Sequence, residues 1–134
     1  MGPVSSVALI EDDPDARVAL GRVLKASGFV VSSYASAEDY LASGVNEPVC
    51  LLVDMQLEGM SGLDLLRALR TGGSALPVIV ITANDDYDSR AEAEQLGCVA
   101  YLHKPCPGRQ LVALLRSLPE RIPGTARRLP APGF

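Results

Sequence analysis

The sequence contains no tryptophan, and aromatic residues make up only 4% of it. It also has no apolar run near the length of about 18 residues that marks a membrane-spanning helix. Its first residues lack the basic segment and long apolar stretch of a secretory signal. We therefore expect a cytoplasmic protein that has no contact with a membrane.

Cysteine and surplus positive charge are also scarce. The three cysteines, Cys50, Cys98 and Cys106, are odd in number and include no C-x-x-C pair, which argues against a disulfide framework or a zinc site. We interpret them as buried, reduced thiols, with a redox role for Cys106 as the alternative. The formal net charge of −4 argues against direct binding of nucleic acid, which requires a basic surface.

What the sequence does contain is enough apolar material for one folded domain. Of its 134 residues, 48% are hydrophobic and 21% are charged, as in an ordinary globular protein. Five short apolar runs predict strands at 7–10, 29–31, 50–53, 78–81 and 99–102. Most of these runs are continuous rather than alternating, which is typical of parallel strands that are covered on both faces.

Helical patterns follow each predicted strand. One begins at Asp13, placed to cap a helix that has Pro14 at its first position, and another begins at Ser36 in a motif similar to a capping box with Asp39. Further patterns cover a leucine stripe from Leu63, residues 85–96 and residues 107–118. Five β-α repeats predict an α/β fold with a doubly wound parallel sheet and helices on both faces.

Two segments are expected to be weakly held. The helical pattern at 85–96 has many charges and offers only Ala91, Ala93 and Leu96 for burial. After Pro119 the sequence becomes rich in proline and arginine and shows no helical period. We interpret residues 119–134 as a tail or a truncated linker.

Polar residues follow four of the predicted strands. Glu11 and Asp12 come after the first strand, Asp54 after the third, Thr82 after the fourth and Lys104 after the fifth. Parallel strands bring these residues to one edge of the sheet, where ligands of such folds bind. Crowded carboxylates need a cation, for which Mg²⁺ is suited, and a lysine can bind a phosphoryl group. The arrangement predicts that the Asp54 carboxylate acts as a nucleophile and becomes phosphorylated.

On these residues the chain resembles the receiver domain of two-component response regulators over residues 4–118. The motifs are "LIEDD", "LLVDMQLEGMSGLDLL", "VIVITA" and "AYLHKP", and the separations between them also fit. The resemblance implies a flavodoxin-like (βα)5 sandwich with a five-stranded parallel sheet in the order 2-1-3-4-5. It also implies a phosphoacceptor switch, not a turnover enzyme, that assists its own phosphorylation and dephosphorylation.

The resemblance implies a role for each residue of the acidic cluster. Asp54 is the phosphoacceptor. Mg²⁺, or Mn²⁺ in its place, is expected between the carboxylates of Asp12 and Asp54 and the backbone carbonyl of Gln56. Glu11 is expected to reach the metal through a water molecule.

Other positions carry the signal or set its lifetime. Thr82 and Lys104 are the expected hydroxyl and lysine of the site, and Thr82 forms a switch together with Tyr101. Gln56 and Asn84 are expected to modulate the lifetime of the phosphoryl group. The Lys104–Pro105 bond is expected to be cis.

Three positions depart from the family pattern. Glu58 stands where proline is usual, Glu11 replaces the more frequent aspartate, and Cys106 replaces the phenylalanine that commonly follows Lys-Pro. We expect a looser loop after Asp54 and a less firmly packed start of the last helix. None of these changes removes a residue that the chemistry needs.

The expected partners are a sensor histidine kinase or phosphotransfer protein, and an output domain or downstream protein. The surface of the 85–96 helix, the 99–102 strand and the 107–118 helix is expected to switch on phosphorylation and to contact the output domain or a second receiver, the latter giving a phosphorylation-dependent homodimer. Two alternatives are an aspartate-nucleophile phosphatase and a phosphorylation-independent interaction module. The phosphatase requires Asp-x-Asp, whereas this chain has Asp54-Met55-Gln56.

Overall fold

The computed structural model describes residues 6–44, 47–84 and 86–118, which form five strands and five helices in alternation. The strands are β1 (Ser6–Ile10), β2 (Val30–Tyr34), β3 (Cys50–Asp54), β4 (Val78–Thr82) and β5 (Ala100–His103). The helices are α1 (Pro14–Ala26), α2 (Ala37–Ala42), α3 (Gly62–Thr71), α4 (Tyr87–Gln95) and α5 (Gly108–Ser117). The predicted tail at 119–134, the domain start at 4–5 and residue 85 lie outside the described residues. None of the helices within these ranges is long and apolar enough to cross a membrane.

The five strands form one parallel sheet in the order β2-β1-β3-β4-β5, which confirms the predicted fold class and strand order. The register places Asp54 opposite Ile81 and Thr82 opposite His103. The carboxyl ends of neighbouring strands therefore lie close to one level, and the loops that follow them meet at one edge.

Side-chain alternation along the strands divides the core between the two faces of the sheet. On β3, Leu51 and Val53 pack with residues of α2, α3 and α4. Cys50 and Leu52 point to the opposite face and pack with residues of α1 and α5. The central strands are buried on both faces of the sheet, which explains why their sequences are continuous apolar runs.

The edge strand β2 is longer than its sequence predicted. The apolar run suggested residues 29–31, whereas the strand continues through Ser32 and Ser33 to Tyr34. Its backbone pairs with β1 along its whole length, but its side chains are half-buried or exposed. An edge strand tolerates serine at such positions, so no apolar run marks its end.

The helix caps differ in part from the predicted ones. Asp13 is the N-cap of α1 by position, but its side chain makes no capping hydrogen bond, so that contact was predicted wrongly. At α2 the Ser36 hydroxyl accepts from the Asp39 N–H at 3.0 Å, as expected. A complete reciprocal capping box occurs instead at α3, between Ser61 and Asp64.

The cysteines are thiols with different degrees of burial. Cys50 is buried within β3, whereas Cys98 and Cys106 are only half-buried, so the prediction of buried thiols is correct for Cys50 alone. Burial raises the pKa of the Cys98 and Cys106 thiols above its usual value. Because the thiolate is the reactive form, this environment gives no support to a redox role for Cys106.

Candidate functional site

Five of the predicted site residues meet at the carboxyl edge of the sheet. Asp54 and Thr82 are the last residues of β3 and β4, with exposed fractions of 6% and 0%. Glu11 follows β1 directly and is 4% exposed, and Lys104 follows β5. Asp12 lies beside Glu11 and is exposed. Strand order and register thus bring together residues that lie far apart in the sequence.

The loop after β3 folds back over the strand end because residue 62 is glycine. The Gly62 N–H donates to the Met55 carbonyl oxygen at 3.3 Å. A Cβ at this position would lie 2.6 Å from the backbone carbonyl oxygen of Asp54, closer than any real side chain comes. The same loop places the Gln56 N–H 2.9 Å from Oδ1 of Asp54. The segment after β3 therefore packs against the Asp54 backbone and orients the Asp54 carboxylate.

Lys104 joins the two buried carboxylates by direct ion pairs. Its Nζ donates to Oε1 of Glu11 at 2.7 Å and to Oδ2 of Asp54 at 2.8 Å. The carboxylate side chains are 5% and 7% exposed, so water screens these charges only weakly. One ammonium faces two carboxylates, and a net negative charge remains for a second cation to balance.

The protonation of the cluster follows from burial and from these ion pairs. Burial raises the pKa of Glu11, and the hydrogen bonds from Lys104 and the Asp13 N–H only partly oppose this. Burial acts to lower the pKa of Lys104, but hydrogen bonds to Asp54 and Glu11 outweigh it, and the pKa is raised overall. The Lys104 ammonium therefore stays charged at neutral pH.

The acidic residues at this edge form a set that could hold a metal ion. Carboxylate oxygens of Glu11, Asp12 and Asp54 all lie within 4.8 Å of one another. These are hard oxygen donors with no nitrogen or sulfur among them, which suits Mg²⁺ or Mn²⁺. Glu11 is thus a member of the cluster itself, although its two oxygens already contact Lys104 and the Asp13 N–H.

The predicted switch residues lie on neighbouring strands. The Thr82 hydroxyl donates to the Asn84 carbonyl oxygen at 3.0 Å and accepts from the Asn84 N–H at 3.1 Å. Tyr101, on β5, lies against α4, with the guanidinium carbon of Arg90 5.5 Å from the ring centroid. The Lys104–Pro105 bond is cis, which confirms that prediction.

Two residues near the site were missed by the sequence analysis. Arg17 Nη1, on α1, donates to the Glu11 carbonyl oxygen at 2.7 Å. The Glu38 carboxylate, on α2, accepts from the Met60 N–H in the loop after β3 at 2.9 Å. Both side chains contact backbone groups, which every residue type possesses. Such contacts therefore cannot be predicted from the pattern of side chains in the sequence.

Comparison with known protein families agrees with this geometry. Residues 7–116 match the family model described as the response regulator receiver domain. The chain belongs to this family. It is therefore a response regulator receiver domain of a two-component system, and such domains are generally switches with no turnover of their own.

Two relatives and two solved structures illustrate the match. The chain is 38% identical over 120 residues to "Response regulator RppA" of Synechocystis sp., with 87% of this chain and 51% of the relative covered. It is 35% identical over 112 residues to "Transcriptional regulatory protein FixJ" of Azorhizobium caulinodans, with 83% and 53% covered. This receiver domain thus spans about half the length of the curated relatives it matches.

Among solved structures, FixJ-N superimposes with a TM-score of 0.75 and 30% identity, covering 90% of this chain and 99% of that one. A receiver domain protein from Clostridium thermocellum has a TM-score of 0.77 at 23% identity, covering 84% and 92% of the two chains. The second likeness concerns the fold alone.

Proposed function

We propose that this receiver domain accepts a phosphoryl group on Asp54 from the phosphohistidine of a sensor histidine kinase or phosphotransfer protein. The observation that carries the proposal is the convergence of Lys104 on Asp54 and Glu11 at a buried strand end. Burying several carboxylates is unfavourable, and a lysine alone leaves the cluster negative. Such a site is well suited to a reaction that brings a further cation and a phosphoryl group.

In the transfer step, a carboxylate oxygen of Asp54 attacks phosphorus. The O–P bond forms as the P–N bond of the donor histidine breaks, and the imidazole leaves with the electron pair. Lys104 stabilises charge on the transferring group without moving a proton, because its ammonium stays protonated at neutral pH. The Gln56 N–H keeps the Asp54 carboxylate oriented during the attack.

The carboxylates of Asp12 and Asp54, with the Gln56 carbonyl, would hold Mg²⁺ or Mn²⁺, and Glu11 would contribute through water. The all-oxygen donor set of the cluster supports this assignment. The bound ion supplies charge neutralisation for the acidic cluster and the phosphoryl oxygens.

The signal leaves the site through Thr82. A phosphoryl oxygen offers the Thr82 hydroxyl a charge-assisted hydrogen bond, stronger than its bond to the Asn84 carbonyl. Movement of this hydroxyl opens space for the Tyr101 ring, which lies against Arg90 of α4. We propose that the surface of α4, β5 and α5 changes in response and contacts an output domain, a downstream protein or a second receiver.

Two further assignments complete the proposal. Gln56 and Asn84 are both exposed and follow Asp54 and Thr82 by two residues each, so they are placed to affect the water that hydrolyses the acyl phosphate. Residues 4–118 form the receiver unit, and 119–134 form a tail or linker. The thiol state of the three cysteines is compatible with a cytoplasmic location.

The test is labelling with acetyl phosphate, followed by intact-protein mass spectrometry. Wild-type protein should gain one phosphoryl group with Mg²⁺ and none when the metal is chelated, and Asp54→Asn should gain none. Asp12→Ala should reduce labelling strongly, whereas Asp13→Ala is the matched control because Asp13 makes no side-chain capping bond.

Equal labelling of wild type and Asp54→Asn would refute the assignment of the acceptor. A folded wild-type protein that accepts no phosphoryl group would favour the phosphorylation-independent interaction module instead.

A further inference from the structure

Asp12 is positioned by its neighbours rather than by its own side chain. Its carboxylate is exposed, and among the described residues no hydrogen bond restrains it. The two peptide groups that flank it are each held by one side chain. Arg17 Nη1 donates to the Glu11 carbonyl oxygen of the preceding peptide at 2.7 Å, and Oε2 of Glu11 accepts from the Asp13 N–H of the following peptide at 3.2 Å.

We infer that Arg17 is a positioning residue for the metal site: by fixing the peptide group between Glu11 and Asp12, it aims the Asp12 carboxylate toward Asp54. This inference rests on the proposed function, because it assigns to Asp12 the role of a metal ligand. It adds a residue of α1 that contacts neither the metal nor the phosphoryl group.

The hydrogen bond from Arg17 to the Glu11 carbonyl oxygen restrains the loop between β1 and α1. Arg17 lies in the second turn of α1, where its backbone N–H donates to the Asp13 carbonyl oxygen at 2.9 Å, so its base is fixed to the start of the helix. On the other side, the Glu11 N–H donates to the Tyr34 carbonyl oxygen at 3.1 Å and ties the loop to β2. The Arg17 guanidinium thus links α1 to the short segment between β1 and α1 that contains Asp12. A charge-assisted bond of this kind reduces the number of orientations that Asp12 must give up when it binds a cation.

Positioning and electrostatics predict effects of opposite sign. The Arg17 guanidinium is a positive charge close to a cation site, so by Coulomb's law its removal should strengthen metal binding. If instead it orients Asp12, its removal should weaken binding, as happens for residues that orient metal ligands. Arg22 is the matched control, because it is an exposed arginine on the same helix beside the same surface groove as Arg17, and it does not contact Glu11.

The experiment is calorimetric titration of the full chain with Mg²⁺ alone, in the absence of any phosphoryl donor. Arg17→Ala should raise the dissociation constant for Mg²⁺ about 10-fold, the lower end of the range for residues that orient metal ligands. Arg22→Ala should leave the dissociation constant unchanged or slightly lower. Arg17→Lys keeps a cationic donor and should recover part of the affinity. If Arg17→Ala does not fold by circular dichroism, Arg17→Met keeps the aliphatic stem, removes only the donors and carries the same test.

Each outcome bears on a different claim. Unchanged or tighter binding by a folded Arg17→Ala or Arg17→Met, with normal binding by wild type, overturns the positioning role and leaves the proposed function intact. Equal weakening by Arg17→Ala and Arg22→Ala also overturns it, since that result reflects α1 as a whole. A wild-type chain that binds no Mg²⁺ overturns the metal site of the proposed function and this inference together.

Discussion

At the residue scale, the site depends most on Lys104, the one cation that contacts both Glu11 and Asp54 among the described residues. We expect Lys104→Ala to fold but to accumulate phosphoprotein about 100-fold more slowly, the usual loss when one preorganised charge contact is removed from a reacting centre. The measurement is the initial rate of acetyl phosphate labelling, with folding checked by circular dichroism.

The matched control is Lys25→Ala, which removes an exposed lysine of α1 far from the ion pairs. Its labelling rate should equal that of wild type. A Lys104→Ala protein that labels at the wild-type rate would contradict the electrostatic role of Lys104.

Residue type and position in the chain were enough to predict which charged side chains meet. Asp54 and Lys104 each follow an apolar run, and parallel strands bring such positions to one edge. The direct pairing of Lys104 with Glu11 was not predicted, because it depends on side-chain length and on the exact path of the loop after β5. Arg17 could not be predicted at all, since its partner is a backbone carbonyl.

At the scale of elements, the start of α3 tests how closely the helix packs on β3. Gly62→Ala would place a Cβ 2.6 Å from the Asp54 carbonyl oxygen, and neither backbone segment can yield easily. We expect a loss of about 1–3 kcal/mol in the free energy of unfolding, the usual cost of forcing extra volume into a packed site. Labelling of Asp54 should slow as well, because the strand end itself must shift.

The other end of the same helix supplies the control. Gly72 has φ −78°, and a Cβ there would be 3.4 Å from its nearest neighbour, so Gly72→Ala should change stability by less than about 0.5 kcal/mol. Urea denaturation of both variants measures the difference. Equal stability of the two would mean that the approach of α3 to Asp54 is not tight.

Helix α4 is held more by polar contacts than by buried side chains. Of the three residues that its sequence offered for burial, only Ala93 is buried, whereas Ala91 and Leu96 are half-buried. Polar contacts from α3 compensate in part. Arg70 Nε donates to the Leu96 carbonyl oxygen at 2.7 Å, and its Nη1 donates to the carbonyl oxygens of Ser74 and Leu76 at 3.0 and 2.9 Å. The predicted poor anchoring was therefore only half correct, because apolar periodicity cannot reveal an arginine that binds carbonyls.

These contacts predict that Arg70 matters more for stability than Arg67, its neighbour on α3. Burial lowers the pKa of Arg70, and Arg70→Leu should cost about 2–3 kcal/mol because several partly buried carbonyls lose their donor. Arg67 forms an exposed ion pair with Glu92, so Arg67→Leu should cost clearly less, and high salt should reduce that cost. Urea denaturation at low and high salt checks both, and similar losses for the two variants would contradict this account.

At the scale of the whole molecule, the sheet joins a rigid centre to a helix that can respond. The central strands β3 and β4 are buried along their full length, so a change at Asp54 is not absorbed there. In the proposed path, a change at Asp54 would reach Asn84 through the Thr82 hydroxyl and would reach α4 through the contact between Tyr101 and Arg90. Helix α4 has one buried side chain and is held at its C-terminal end by the hydrogen bond from Arg70 to the Leu96 carbonyl oxygen, so we expect a low cost for shifting it.

This path predicts which elements differ between the protein with a phosphoryl analogue bound and the protein without it. Hydrogen exchange with and without beryllofluoride should change most in α4, β5 and α5, and little in α1. Thr82→Ala should keep Asp54 labelling within a few-fold of wild type but abolish the exchange change in α4, because a ligand shifts an equilibrium only through contacts that differ between the states. Thr82→Ser keeps the hydroxyl and is the control that should respond like wild type. Exchange changes confined to α1 would place the responding surface on the other face of the sheet and contradict the proposed path. An exchange change in α4 that persists in Thr82→Ala would show that the Thr82 hydroxyl has no part in the proposed path.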